Sequence, residues 1–340
     1  MKAIGYRQNL PVDQPNALED LELPAPQPGP RDLLVRVKAV SVNPVDTKVR
    51  RNRAPKPGQP EVLGWDAVGV VEGLGADVTG FQVGDRVFYA GSITRPGANS
   101  ELHVVDERIV GKAPTSLEDA QAAALPLTAI TAWELLFDRL RVPHGGGAGQ
   151  SILIVGGAGG VGSILIQLAR QLTQLKVIAT ASRPETRAWC LELGAHAVID
   201  HSQPLAQALK DGGHGEVDYV AALTQTDQHY AQIVESLKPQ GALGIIDDVP
   251  VLDAMKLKSK TLSLHWELMF TRSMFGTPDM AEQGKLLAEV AMLVDAGRVR
   301  TTAGAHYGKI NAANLLKAHA FIESGKAQGK VVLEIGRAHV

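Results

Sequence analysis

The chain of 340 residues contains a single cysteine, Cys190. That excludes an intrachain disulfide framework and any zinc site built from a cysteine cluster. Cys190 lies in the helical-looking run ETRAWCLELGA and reads as a packing residue rather than a nucleophile. Aromatic residues are scarce, at 4% of the chain, so any local concentration of them stands out. An excess of one charge is lacking too. Thirty-four Lys and Arg (34) against 36 Asp and Glu leave a net charge of -2, with no basic stripe for nucleic acid and no polybasic segment for a membrane surface. The apolar uncharged stretch 120–133 is too short to span a bilayer and contains Pro126, Thr128 and Thr131, so no transmembrane helix is expected. The opening MKAIGYRQNLPVDQPN has no apolar core of a secretory signal. The expectation is a cytoplasmic protein with small-molecule partners.

What is present is an apolar fraction of 45%, enough to bury an extensive interior, and a length that suits two domains. The first 120 residues read as short strands punctuated by Pro and Gly, such as 33–42, 67–75 and 85–91, which predicts a compact β-rich domain. From about Ser151 the texture changes. SILIV, KVIATA, AHAVID, VDYVAAL and GALGIID each fit a strand buried on both faces, and the segments beginning near Val161, Pro184, Gln203 and Thr226 fit crossover helices. Such alternation predicts an α/β fold with a parallel, doubly wound sheet. Residues 261–266 fit one more strand, followed by helical stretches at about 278–296 and 311–324 and a last strand from Lys330. Because this tail breaks the alternation, it is expected to return to the first domain. HGGGAG at 144–149 reads as a flexible connection into the sheet.

SILIVGGAGGVGSILIQLAR, 151–170, places a GxGxxG match directly after a strand and before an apolar-periodic helix. Gly157, Gly159 and Gly162 are the matching positions. In such a motif the first glycine permits the tight turn, the second lets backbone approach a pyrophosphate, and the third allows close helix–strand packing. Gly160, Val161 and Gly162 then open a helix whose free N–H groups and dipole favour phosphate. Binding of NAD at the ribose 2′-hydroxyl calls for Asp or Glu about 20 residues further on. Ser182 and Arg183 stand there instead, a hydroxyl and a guanidinium suited to a 2′-phosphate, so the expected cofactor is NADPH. His201, ending the third strand, is placed to join them; a plain surface role is the other reading for it and for Arg183. Glu185 falls past Pro184 at a helix start, where an acid suits the dipole.

The glycine turn, ALPLTAITAWELL at 124–136, GDRV at 84–87 and the opening MKAIGYRQ together resemble the medium-chain dehydrogenase/reductase superfamily, over essentially the whole chain. GGAGGVG and NPVDTKVR at 43–50 look like its quinone oxidoreductase branch. HWELMFTRSMFGTPDM at 265–280 and AHAFIESGKAQGKVVLE at 318–334 look like the subgroup called zinc-type alcohol dehydrogenase-like. The resemblance implies a GroES-like catalytic domain formed by 1–125 and 268–340, a Rossmann domain at 126–267, and an active site in the cleft between them. It also implies an absence. The first Cys ligand of zinc-dependent members falls at Asn43 and the His of their GHE motif at Trp65, so no metal is expected.

Without a Lewis acid, a conjugated acceptor is easier to reduce than a simple ketone, because an enone or quinone delocalises the incoming charge onto a remote oxygen. By the resemblance, Asn43 is the candidate hydrogen-bond donor to substrate, with a turn-forming role before Pro44 as the alternative. Thr131, read at the start of the TAWELL helix, resembles positions near the nicotinamide, or caps the helix. Lys330 matches a lysine near the cofactor, or is a solvated strand end. Lys48 stands where some quinone oxidoreductases carry a tyrosine proton donor. Asp46 and Asp66 form an acid–base pair or, equally, serve structure. Trp266, Met269, Phe270, Met274 and Phe275 concentrate in one segment and read as the wall of an apolar pocket, a core, or a dimer interface. An exposed last strand near 261–266 would pair with a second copy in a homodimer. The function expected is zinc-independent NADPH oxidoreduction of a quinone or α,β-unsaturated carbonyl. The alternatives are an NADP-dependent aldehyde or alcohol oxidoreductase and a non-enzymatic NADPH-binding sensor or structural protein.

Overall fold

Apolar, β-branched runs separated by amphipathic helices dominate the second half of the chain, and they build a sheet of the predicted kind. The computed structural model describes residues 1–336. It divides into one unit made of Met1–Ile130 with the chain from Phe270 onward, and a second made of Thr131–Met269. The first division thus falls five residues later than the sequence boundary of 125/126. The reason is local: Pro126 opens the helix Pro126–Trp133, and its early N–H at Leu127 donates to Asp66 Oδ1 at 2.7 Å, tying that turn to the first unit.

The second unit is a six-stranded sheet in the order Ala197–Ile199, Lys176–Thr180, Ser151–Val155, Val217–Ala222, Leu237–Ile245, Ser263–Trp266, with every pairing parallel. Ser151–Val155 is buried at every position, as a strand covered on both faces must be. The helices Gly160–Leu172, Pro184–Glu192, Leu205–Asp211 and Thr226–Ser236 supply the crossovers. Leu153, Val155, Ile178, Val220, Ile233, Leu243 and Ile245 form the core beneath one layer. Each such side chain contributes about 1.5–3 kcal/mol relative to exposure. The chain winds outward in both directions from the adjacent strands Ser151–Val155 and Val217–Ala222, which makes their junction the topological switch point.

In the first unit, Asp32–Val42 is the central strand of a mostly antiparallel sheet, flanked by Ala67–Leu74 on one side and Lys330–Glu334 on the other. The tail therefore does return to the first domain. Its register pairs Val331 with Val42, while Val40 pairs with Ala67, so Lys330, Asn43 and Asp66 are brought together at one end of three neighbouring strands.

Thr131 does not begin a helix. It lies inside Pro126–Trp133, after which the backbone widens into the π-helix Glu134–Arg139, so its helix-capping alternative falls away. The helical run Asp119–Arg139 is long and apolar enough to cross a membrane by length and composition, but 89% of its most apolar stretch is buried within the protein, as in a core helix. Cys190 is buried, and burial pushes its thiol up to about 12, in keeping with the packing role.

Candidate functional site

The glycine turn in the second unit carries the expected geometry with its roles moved by one residue. Gly156, not Gly157, takes the left-handed backbone, at φ +90°. Gly157 is required for a different reason: a Cβ there would meet Ala179 Cβ at 2.7 Å and Cys190 Sγ at 3.1 Å. A Cβ at Gly162 would lie 2.4 Å from Gly156 O, which is the helix–strand contact that the motif predicts. Gly159 differs from both. Its nearest neighbour would be Gly156 O at 3.5 Å, so the space over it is open, and it stands as N-cap of the 13-residue helix Gly160–Leu172. Helix geometry leaves the N–H groups of Gly160, Val161 and Gly162 without intrahelical acceptors. An open glycine cradle facing such a helix start fits a pyrophosphate.

The ends of the neighbouring strands frame this turn. Thr180, absent from the sequence reading, accepts from Gly156 N at 3.0 Å through Oγ1 and lies 3.1 Å from His201 Nδ1. His201 is thereby tied to the turn rather than left as a plain surface residue. Ser182 is exposed, and Arg183 is half-buried as N-cap of Pro184–Glu192. Arg183 Nε sits 3.2 Å from Glu185 Oε1, so Glu185 does more than suit the dipole: it holds the guanidinium at the rim of the site.

The first unit holds a buried polar network that no stretch of sequence announces. Asp66 accepts from Ser41 Oγ at 2.9 Å, Asn43 Nδ2 at 2.8 Å, Lys330 Nζ at 2.9 Å and Leu127 N at 2.7 Å. Lys330 also donates to Val42 O at 3.1 Å and to Asn43 Oδ1. It is 2% exposed, which rules out the solvated strand end, and its three N–H groups are all directed inward. It supplies charge at this place and no spare donor. Asn43 joins the network at both ends of its amide, Nδ2 donating to Asp66 and Oδ1 accepting from Lys330, and so links the two.

Asp46 is separate from Asp66 in function. It accepts from Asn43 N at 2.7 Å and Gly64 N at 2.9 Å, and burial pushes it up to about 7. Both aspartates have structural partners, and an acid–base pair is not what they form. Trp65 is buried, donates from its indole to Ser92 O at 3.2 Å, and meets Phe270 edge-on at 6.2 Å. The expected aromatic cluster divides accordingly. Met269 and Phe270 are buried, in different units, whereas Trp266 is 49% and Phe275 74% exposed. Among the described residues, no group of three or more His, Cys, Asp or Glu side chains is placed to hold a metal ion.

Comparison with known proteins accounts for both units. Residues 29–115 match the alcohol dehydrogenase GroES-like domain and residues 193–333 the zinc-binding dehydrogenase family. The chain is 40% identical to a zinc-type alcohol dehydrogenase-like protein of Staphylococcus epidermidis, over 98% of this chain and 100% of that one. It is 33% identical to a quinone oxidoreductase of Pseudomonas aeruginosa, over 94% and 96% of the two chains. Among solved structures, a Rhizobium etli CFN 42 protein provisionally classed as a zinc-dependent alcohol dehydrogenase is 57% identical, with a TM-score of 0.95 and 99% of both chains covered. The mycobacterial protein Rv1454c, solved with NADPH, is 28% identical with a TM-score of 0.82, over 98% and 100% of the chains. With these two family matches and relatives aligned along nearly its full length, the chain belongs to the medium-chain dehydrogenase/reductase superfamily of oxidoreductases, in the group of zinc-type alcohol dehydrogenase-like proteins related to quinone oxidoreductases.

Proposed function

We propose that this protein is an NADPH-dependent oxidoreductase that reduces a quinone or an α,β-unsaturated carbonyl without a catalytic metal. The observation that carries the cofactor half of this reading is the open space over Gly159 at the start of Gly160–Leu172. The N–H groups of Gly160, Val161 and Gly162 would hold the pyrophosphate, and Ser182 and Arg183 would hold the 2′-phosphate, with no acid at the end of Lys176–Thr180 to repel it. Rv1454c, solved with NADPH, supports the choice.

The metal half rests on donor chemistry. Where zinc-dependent members carry Cys and His, this chain has an amide, Asn43, and an indole, Trp65, both already bonded within the unit. Asp66 is neutralised by an ammonium, Lys330, instead of by a metal ion. An amide and an indole N–H are poor zinc ligands, so this donor set does not fit a zinc centre. When bound, the reduced nicotinamide supplies a hydride. A conjugated acceptor would take that hydride at carbon or oxygen, carry the charge on its oxygen, and be completed by a proton from water or from a ribose hydroxyl. The protein's share is to orient the two reactants and exclude competing water.

The names of the 40% and 57% identical relatives favour a second reading, oxidoreduction of simple alcohols and aldehydes. An acceptor and donor screen decides between them: NADPH oxidation by quinones and enones that survives exhaustive chelation is expected. Activity lost on chelation and restored by zinc would overturn the reading, as would turnover of alcohols with NADP+ alone. We also read the edge strand Ser263–Trp266, partly exposed along its length, as the pairing face of a homodimer.

A further inference from the structure

Two carboxyl groups in the second unit have no part in anything described above. Glu134 opens the π-helix Glu134–Arg139, and Glu267 directly follows the edge strand Ser263–Trp266, where its N–H donates to Ile245 O at 2.9 Å. Neither side chain is exposed at all. One guanidinium serves both: Arg139 Nε donates to Glu267 Oε2 at 2.7 Å, and Arg139 lies 3.6 Å from Glu134 Oε2. Glu267 Oε1 is buried without a hydrogen-bond partner among the described residues. His265 also lies beside them, and burial, then the charges of Arg141 and Arg139, lower its tendency to take up a proton.

Two negative charges cannot share such a place with one positive charge. Burial, and then the charge of Glu134, push Glu267 up to about 9. With one guanidinium serving two buried carboxyls, the trio carries no net charge when the pair keeps one proton.

The position of this trio in the sheet says what it serves. A doubly wound sheet binds a dinucleotide across its two halves, at the carboxyl ends of the strands. The glycine turn, Thr180 and His201 belong to the half built on Ser151–Val155, Lys176–Thr180 and Ala197–Ile199, which takes the adenosine end. The nicotinamide end falls to the half built on Val217–Ala222, Leu237–Ile245 and Ser263–Trp266. Glu267 stands at the carboxyl end of the last of these, with a buried oxygen unused, beside a π-helix of the kind found at functional sites.

We propose that the Glu134–Glu267 pair holds one proton between its two carboxyls and matches the charge of the nicotinamide: the oxidised, positively charged ring draws that proton off to solvent, and the reduced, neutral ring leaves it in place. The inference rests on the dinucleotide-binding reading of this unit. A positive charge brought close to a partly buried acid lowers its midpoint by about one pH unit or more.

Proton release on binding is the test, read with a pH indicator in weakly buffered solution at pH 8.5 on the full chain. The expected result is on the order of half a proton released per site with saturating NADP+ and none with NADPH, given such a midpoint change. The 2′-phosphate is common to both and cancels in the difference. Glu267→Gln, and independently Glu134→Gln, should abolish the release and make NADP+ affinity independent of pH between 7.5 and 9.5, where the unaltered protein binds more tightly as pH rises. Binding of NADP+ without release overturns the role of the pair while leaving the cofactor site intact. Failure of both cofactors to quench protein fluorescence overturns the cofactor site itself, and the pair's role with it.

Discussion

Lys330 Nζ lies 2.9 Å from Asp66 Oδ2, an ion pair between residues 264 positions apart whose side chains are 3% and 0% exposed. Removing one member of such a pair leaves an uncompensated buried charge, at a cost of about 3–5 kcal/mol. Lys330→Met should therefore lower stability by about 3 kcal/mol, the lower end, because Ser41, Asn43 and Leu127 still donate to Asp66. Urea unfolding followed by tryptophan fluorescence measures this. An unchanged midpoint would mean that the pair contributes nothing.

The three motif glycines should separate by phenotype. Gly162→Ala forces a Cβ to 2.4 Å from Gly156 O, and Gly157→Ala presses on Ala179 and Cys190, so both should lower the melting temperature by several degrees. Gly159→Ala meets nothing nearer than 3.5 Å and should melt normally. It fills the cradle, however, and should weaken NADPH binding by about tenfold or more, equivalent to about 1.4 kcal/mol. A Gly159→Ala protein that binds NADPH as tightly as the unaltered one would remove the pyrophosphate from this turn.

Arg183→Ala should weaken NADPH by about tenfold to a hundredfold, the range of one charge-assisted hydrogen bond to phosphate, and leave NADH almost unchanged. The lower figure is the better expectation, since the side chain is 41% exposed and shares its charge with Glu185. Glu185→Gln, by freeing the guanidinium, should tighten NADPH. Titration of intrinsic fluorescence with both cofactors checks the pair of variants, and equal weakening of NADPH and NADH by Arg183→Ala contradicts the assignment.

Local features were legible in the sequence and long-range ones were not. The strands from Ser151 onward announce themselves as short apolar runs, and the glycine turn by its spacing, because both depend on neighbours a few residues away. Even there the left-handed residue is Gly156, one place before the motif's first glycine, since GGAGG offers two candidates and only the packing of Gly157 on Ala179 separates them. Thr180 is invisible in the sequence because a threonine at a strand end carries no pattern. The contact of Asn43 with Lys330 spans 287 residues and is set by strand register, which no spacing encodes. Glu134 carries no signal in the sequence, because its neighbour Glu267, just past the last strand of the sheet, meets the same arginine only in the fold.

Stability should fall on both sides of a maximum in the mildly acid range, for opposite reasons. His103 and His319 are buried and neutral, and burial pushes them from the ordinary 6.5 down to about 4 and about 3. The unfolded chain takes up their protons first, so stability is full above 6.5 and is lost as pH falls toward 4 and then 3, at about 1.4 kcal/mol per pH unit for each proton taken up. Asp46 and Glu267 act the other way. Burial raises them from 3.8 to about 7 and from 4.5 to about 9, so the folded state holds protons that the unfolded chain has already released. Their contribution is full below the ordinary carboxylate range and drains as pH rises, for Asp46 up to about 7 and for Glu267 up to about 9. Melting temperatures measured from pH 4 to pH 10 should trace this asymmetric dome. Glu267→Gln should remove its share of the slope between 4.5 and about 9, and His319→Gln its share between 6.5 and about 3. A Glu267→Gln profile that keeps the alkaline decline would place its source in another group.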